Sequence, residues 1–311
     1  MFSRRDFLGT ALAAGAGVGA SAQASRRALA QPAHRMIVDA QVHFWKAESA
    51  DWQWVPGLKP QLPEPMTIER FVPLMEEAGV DRVVIVPPSW VGDRNDYALE
   101  AVRRYPERFR VMGRFPIQDP KAAPLLPEWK EQPGMLGIRL TFNNDTTSKW
   151  LSDGTTDWFW PAVEKAQIPI YFFAPGQTFK LGPIAERHPQ LTLIIDHMGL
   201  TQSMLKDGTI PAAIDQTVAL AKYPNVSVKI SASPGVSTEP YPFRDVTVHL
   251  KRVFDAYGPQ RCYWGCDLTN TLSKGPYHQR ITHFTEELPF LSESDKDWVM
   301  GKAILARLNW A

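Results

Sequence analysis

The chain has 311 residues, 44% of them apolar, and its 34 basic and 33 acidic residues leave a net charge of +1. That balance excludes the basic excess needed to hold nucleic acid or an anionic membrane surface. The length suits one large domain or two smaller ones, and the apolar content suffices for a real core.

At the N-terminus, Ser3-Arg4-Arg5-Asp6-Phe7-Leu8 is a twin-arginine pattern. A small-residue apolar run over 9–20 and the triplet Ala22-Gln23-Ala24 follow it. Residues 1–24 therefore read as a signal peptide for the twin-arginine export machinery, with a mature periplasmic protein starting near Ser25. The run is too short for a permanent membrane span.

Residues 36–40 read as a short buried strand broken only by Asp39, with the polar tip Gln41-Val42-His43. Residues two apart on a strand share a face, so Gln41 and His43 should point into the same cavity. A Trp- and Pro-rich loop, 46–65, follows; it reads equally as a lid or as packing over the end of the fold. Thr67 caps a helix over 68–78 and Gly79 stops it.

From there strands and helices alternate. Strands are expected at 82–86, 109–115, 135–140, 168–173, 191–195, 226–230 and 261–265. Helices are expected at 95–105, 156–166, 181–187, 210–222 and 243–257, with a weak, proline-interrupted one at 121–131 and two final ones at 277–288 and 294–308. Eight strand–helix pairs imply βαβ units, a parallel sheet and a single-domain (β/α)8 TIM barrel over 25–311. The rival doubly wound sheet often carries a Gly-rich first turn, and no G-x-G-x-x-G is present. Cys262 and Cys266 lie too far apart along one strand for a disulfide, and read as buried free thiols.

In such a barrel the active site sits at the C-terminal ends of the strands. The polar strand ends are Gln41 and His43, Arg114, Arg139, Tyr171, Asp196 and His197, Lys229, and Asp267. One such residue alone usually serves structure. So many converging on one mouth point to a site, because burying unpaired charge is costly. His188, His249, His278 and His283 fall in or beside outer helices and read as packing or surface residues.

The strand-one tip, Asp196-His197-Met198-Gly199 and Gly265-Cys266-Asp267 resemble the amidohydrolase-related barrel family. The chain is most similar to its branch of pyrone-dicarboxylate lactonase and sugar lactonases. That resemblance implies that Asp267 activates the hydrolytic water and that His197 assists with protons or orients substrate. It also implies that His43 is the second His of the strand-one pair, and that Arg139 holds a substrate carboxylate. The family's metal-binding members carry two strand-one His and a further ligand on strand five. Here Gln41 replaces the first His and strand five ends in Phe172-Phe173-Ala174. A metal-free site is therefore expected; a zinc or manganese ion would have only His43, His197 and Asp267 as ligands.

The expected activity is hydrolysis of a lactone or ester of a carboxylate-bearing small molecule. Asp267 would be the general base, His43 and Gln41 the oxyanion donors, and Arg139, Lys229, Tyr171, Arg114 and Trp45 the substrate contacts. Lys229 reads equally as half of a buried ion pair, Arg114 as a turn residue and Asp196 as a loop cap. Two rival functions are a metal-dependent non-oxidative decarboxylase and a non-catalytic periplasmic carboxylate-binding protein. Monomer and homo-oligomer stay open.

Overall fold

The computed structural model describes residues 34–311. The signal-peptide expectation for residues 1–24 lies outside them. The eight expected strands form: β1 (Val38–Val42), β2 (Arg82–Ile85), β3 (Phe109–Gly113), β4 (Met135–Thr141), β5 (Ile170–Phe173), β6 (Leu193–Ile195), β7 (Val226–Ser231) and β8 (Cys262–Gly265). They pair in chain order and all in parallel, making a nearly closed barrel surrounded by helices. Parallel strands buried on both faces read as near-continuous apolar runs, as these do.

Two apolar layers result. Val83, Ile85, Phe109, Val111, Val226 and Val228 face outward into the layer shared with the helices. Val38, Ala40, Val84, Met112, Tyr171 and Ile194 face inward, joined by Leu308 and Trp310 of the C-terminal segment. Among the described residues no helix is long and apolar enough to cross a membrane.

The helices depart from expectation where backbone chemistry intervenes. The segment expected as a helix over 121–131 is two 3-10 turns, Pro120–Leu125 and Trp129–Glu131, because Pro124 lacks the N–H that an α-helix needs. The final helix runs Glu293–Asp297, then a π turn at Trp298–Lys302, then Ala303–Arg307. At Gly301 a Cβ would stand 2.4 Å from the Met36 carbonyl oxygen, so only glycine lets this turn approach the chain leading into β1.

The seam between β1 and β8 is stitched by a side chain. Asp39 Oδ1 accepts the backbone N–H of Gln41 at 2.9 Å and of Cys266 at 3.0 Å, while Oδ2 accepts the Tyr277 hydroxyl at 2.5 Å. The Asp267 N–H then donates to the Gln41 carbonyl at 3.1 Å. Burial pushes the Asp39 carboxyl up, and its donors pull the other way. The residue that interrupts the first apolar run thus ties the ends of the strands that carry His43 and Asp267. Cys262 and Cys266 are free and buried, their thiols pushed up by burial.

Candidate active site

A cavity of about 480 Å3 opens at the C-terminal ends of the strands; His43, Arg139, Thr141, Phe173, His197 and Asp267 line it. Asp267 lies just beyond β8 in left-handed backbone (φ 50°), as do His197 (φ 52°) and Met198 (φ 56°) just beyond β6. Non-glycine residues seldom adopt this region unless the surroundings hold them there, and here such residues cluster at the barrel rim.

His43 Nε2 is 3.2 Å from Asp267 Oδ1, and His197 Nε2 is 4.0 Å from Asp267 Oδ2. Asn270 donates its amide to both Asp267 oxygens, at 2.8 and 3.0 Å. Burial would push the Asp267 carboxyl up. The charge interaction with His197, the contact with His43 and the Asn270 amide outweigh it and hold the carboxyl well below the usual range. Asp267 is therefore ionised. His197 is pushed down to about 4, chiefly by burial, against the pull of Asp267 and Asp196, so its ring is neutral at neutral pH. Its Nδ1 is 2.9 Å from the Ser231 hydroxyl.

Hydrogen-bond logic fixes His43. Its Nδ1 lies 2.7 Å from the Val86 carbonyl, which can only accept, so Nδ1 carries the hydrogen. Gln41 Oε1 takes a bond from the Lys229 ammonium, which can only donate, so the Gln41 amide nitrogen faces His43 Nε2, at 3.3 Å. Nε2 thus sits between an amide donor and the Asp267 carboxylate.

Several expected site residues lie one layer deeper. Gln41 and His43 do share a face, with the β1–β2 register slipping between Asp39 and Val42, but only His43 lines the cavity. Gln41 is fully buried and both ends of its amide are engaged, which removes it as an oxyanion donor. Lys229 is fully buried, 2.8 Å from Asp196 Oδ1 and 3.8 Å from the centre of the Tyr171 ring. Burial pushes it down to about 8 against the pull of Asp196, and it is a structural cation rather than a substrate contact. Tyr171 is buried beneath it. Trp45 is core, edge-on to Trp90 at 5.3 Å, and of the two it is Trp90 that lines the cavity.

Asp196 pairs with both Lys229 and Arg139, the latter at 3.1 Å, so its role is counter-ion rather than loop cap. Burial would raise its carboxyl, but these two cations hold it below the usual range. Arg139 reaches the cavity, and Arg114 lines a neighbouring chamber. The 46–65 loop contributes Gln61 to the cavity, not its tryptophans. Sequence reasoning missed Asn270, whose D-x-x-N spacing after β8 places its amide one helical turn from the Asp267 carboxylate.

The donors that a divalent ion would draw on here are His43, His197 and Asp267. Among the described residues no group of three or more His, Cys, Asp or Glu is placed to hold an ion. His43 Nε2 already contacts Gln41 and Asp267.

The chain is 26% identical over 237 residues to an L-fucono-1,5-lactonase of Burkholderia ambifaria, covering 74% of this chain and 79% of the relative. It is 29% identical over 209 residues to a 4-sulfomuconolactone hydrolase of Hydrogenophaga intermedia, covering 66% of each. An amidohydrolase structure from Burkholderia multivorans with bound zinc superimposes with a TM-score of 0.74 at 18% identity, over 88% of this chain and 99% of that one. Residues 38–306 match the amidohydrolase family as a whole, and the chain belongs to that family.

Proposed function

We propose that the protein hydrolyses a lactone of a carboxylate-bearing small molecule. The observation that carries this reading is the His43–Asp267 contact at 3.2 Å, on the wall of a cavity that also holds a neutral His197. The two lactone-hydrolysing relatives support it.

Asp267 alone is a weak base, because its carboxyl is held so low. Paired with the imidazole of His43 it becomes a competent one. Asp267 accepts a hydrogen bond from water, and the proton released on attack is shared between Oδ1 and Nε2. The water oxygen bonds to the carbonyl carbon. His197, whose ring reaches the cavity, takes over the donor role expected of Gln41 and stabilises the oxyanion. The ring C–O bond then breaks, the held proton passes to the leaving oxygen, and the product is a hydroxy acid. Arg139 pairs with the substrate carboxylate through the part of its fork not bound to Asp196 and Thr141.

The zinc in the Burkholderia multivorans structure supports a second reading, in which a divalent ion uses His43, His197 and Asp267. A panel of lactones and esters, assayed with and without chelator, separates the two. The metal-free reading expects hydroxy acid at unchanged rate after chelation. Loss of rate on chelation supports the second reading, and release of carbon dioxide in place of hydroxy acid would replace both with a decarboxylase. The twin-arginine pattern further supports periplasmic export, tested by fractionating cells that express the whole chain or its Arg4→Lys, Arg5→Lys variant.

A further inference from the structure

Beside the catalytic cavity lies a second chamber of about 400 Å3. Ser89, Arg139, Thr141 and Asn143 line both, so the two adjoin at the end of β4. Asp267 belongs to the first and Arg114 to the second.

Arg114 directly follows β3, and its backbone is clamped. Asn95 Oδ1 accepts its N–H at 2.7 Å, and the Asn95 amide donates to its carbonyl at 2.9 Å. The side chain is thereby launched from a fixed point. Its Nη1 donates to Thr141 Oγ1 at 2.9 Å, and Arg139 Nη1 donates to the same oxygen. Two cations share one neutral acceptor. Arg139 also has Asp196 as counter-ion. Among the described residues no carboxylate forms an ion pair with Arg114; Asp93 and Asp196 act on it only at longer range. Burial and the like charge of Arg139 push Arg114 down to about 9. A half-buried guanidinium with no paired anion, on the wall of a chamber large enough for a substituent, is an arrangement that a ligand anion completes.

We propose that this second chamber is the subsite for a second acidic group of the substrate, a carboxylate or sulfonate held by Arg114. It follows that the enzyme favours lactones bearing two acids over those bearing one or none. Arg139, at the junction, takes the acid nearer the reacting ring, and Arg114 takes the farther one. A sugar lactone offers only hydroxyls to these two forks. The inference rests on the lactone-hydrolase reading for its reaction, but not for its binding.

Two measurements test it on wild type, Arg114→Gln and Arg114→Lys. The first compares kcat/KM for 4-sulfomuconolactone, whose sulfonate sits on the ring and whose carboxylate ends the side chain, with that for the analogue carrying a methyl in place of the carboxymethyl arm. Wild type should prefer the diacid by about 10- to 100-fold, the range expected of a charge-assisted contact. Arg114→Gln should erase that ratio mainly through KM, and Arg114→Lys should restore part of it. No wild-type preference, or equal loss on both lactones, overturns the proposal. The second measurement titrates benzene-1,3-dicarboxylate and benzoate calorimetrically, with no turnover required. Tighter binding of the diacid that Arg114→Gln abolishes supports the subsite, even if no lactone is opened, in which case the reaction reading falls alone. Equal binding of the two acids overturns the subsite while leaving the reaction untouched.

Discussion

Two levels of one barrel mouth behave differently, although the same strands build both. The rim holds His43, Thr141, Phe173, Ser231 and Asp267. Two residues earlier on the same strands stand Gln41, Arg139, Tyr171, Lys229 and Gly265. Each pair shares a face, but about 6.6 Å of strand separates its members in depth. Rim residues line the cavity or, like Ser231, bond one that does. Gln41, Tyr171 and Lys229 instead form a sealed polar layer whose charges are balanced internally by Asp196. Arg139 alone spans both levels, its Nε on Asp196 and its tip in the cavity. Polarity at a strand end therefore has two meanings. At the rim it faces the cavity, and one step below it lies sealed beneath the rim.

The comparison breaks first at Lys229. Replacing it with Met leaves Asp196 short of one partner in a sealed layer, and stability should fall by about 3–5 kcal/mol, read from urea unfolding. A loss well under 1 kcal/mol, with KM raised instead, would return Lys229 to the substrate site.

Acid titration sharpens the contrast next. His197 at the rim and His283 in the outer core are both pushed down to about 4, chiefly by burial, from an ordinary 6.5. As pH falls below 6.5 the unfolded chain takes up protons that the folded chain refuses. Stability should hold above pH 6.5 and decline toward pH 4, by up to about 3 kcal/mol for each histidine. His197→Asn should remove its own share of that slope in melting curves recorded against pH. An unchanged slope would mean that His197 is charged in the folded protein.

The smallest effect concerns the tryptophans. Trp45→Phe should cost about 1 kcal/mol of packing with KM little altered, while Trp90→Phe should raise KM severalfold. The reverse pattern would put Trp45 on the cavity wall.

The barrel was legible because alternating apolar runs and helical periods survive in sequence almost intact. So was the convergence of His43, His197, Arg139 and Asp267. Depth was not legible. A period of two tells which face a residue takes, not which layer it reaches, so Gln41 and Lys229 looked like rim residues. The register slip in β1 left no mark in residue type. Asp39 looked like a blemish in an apolar run, and only its bonds to Cys266 and Tyr277 reveal it as the seam. The second chamber needed the third dimension outright, since Arg114 follows β3 while Thr141 ends β4.

The most direct measurement is kcat for lactone opening by Asp267→Asn beside wild type, with melting curves on both. Asn keeps the shape of the side chain and removes its charge and basicity. The account predicts a fall of about 10²–10⁴-fold with an unchanged fold and KM within a few-fold. Equal rates from the two proteins would contradict it.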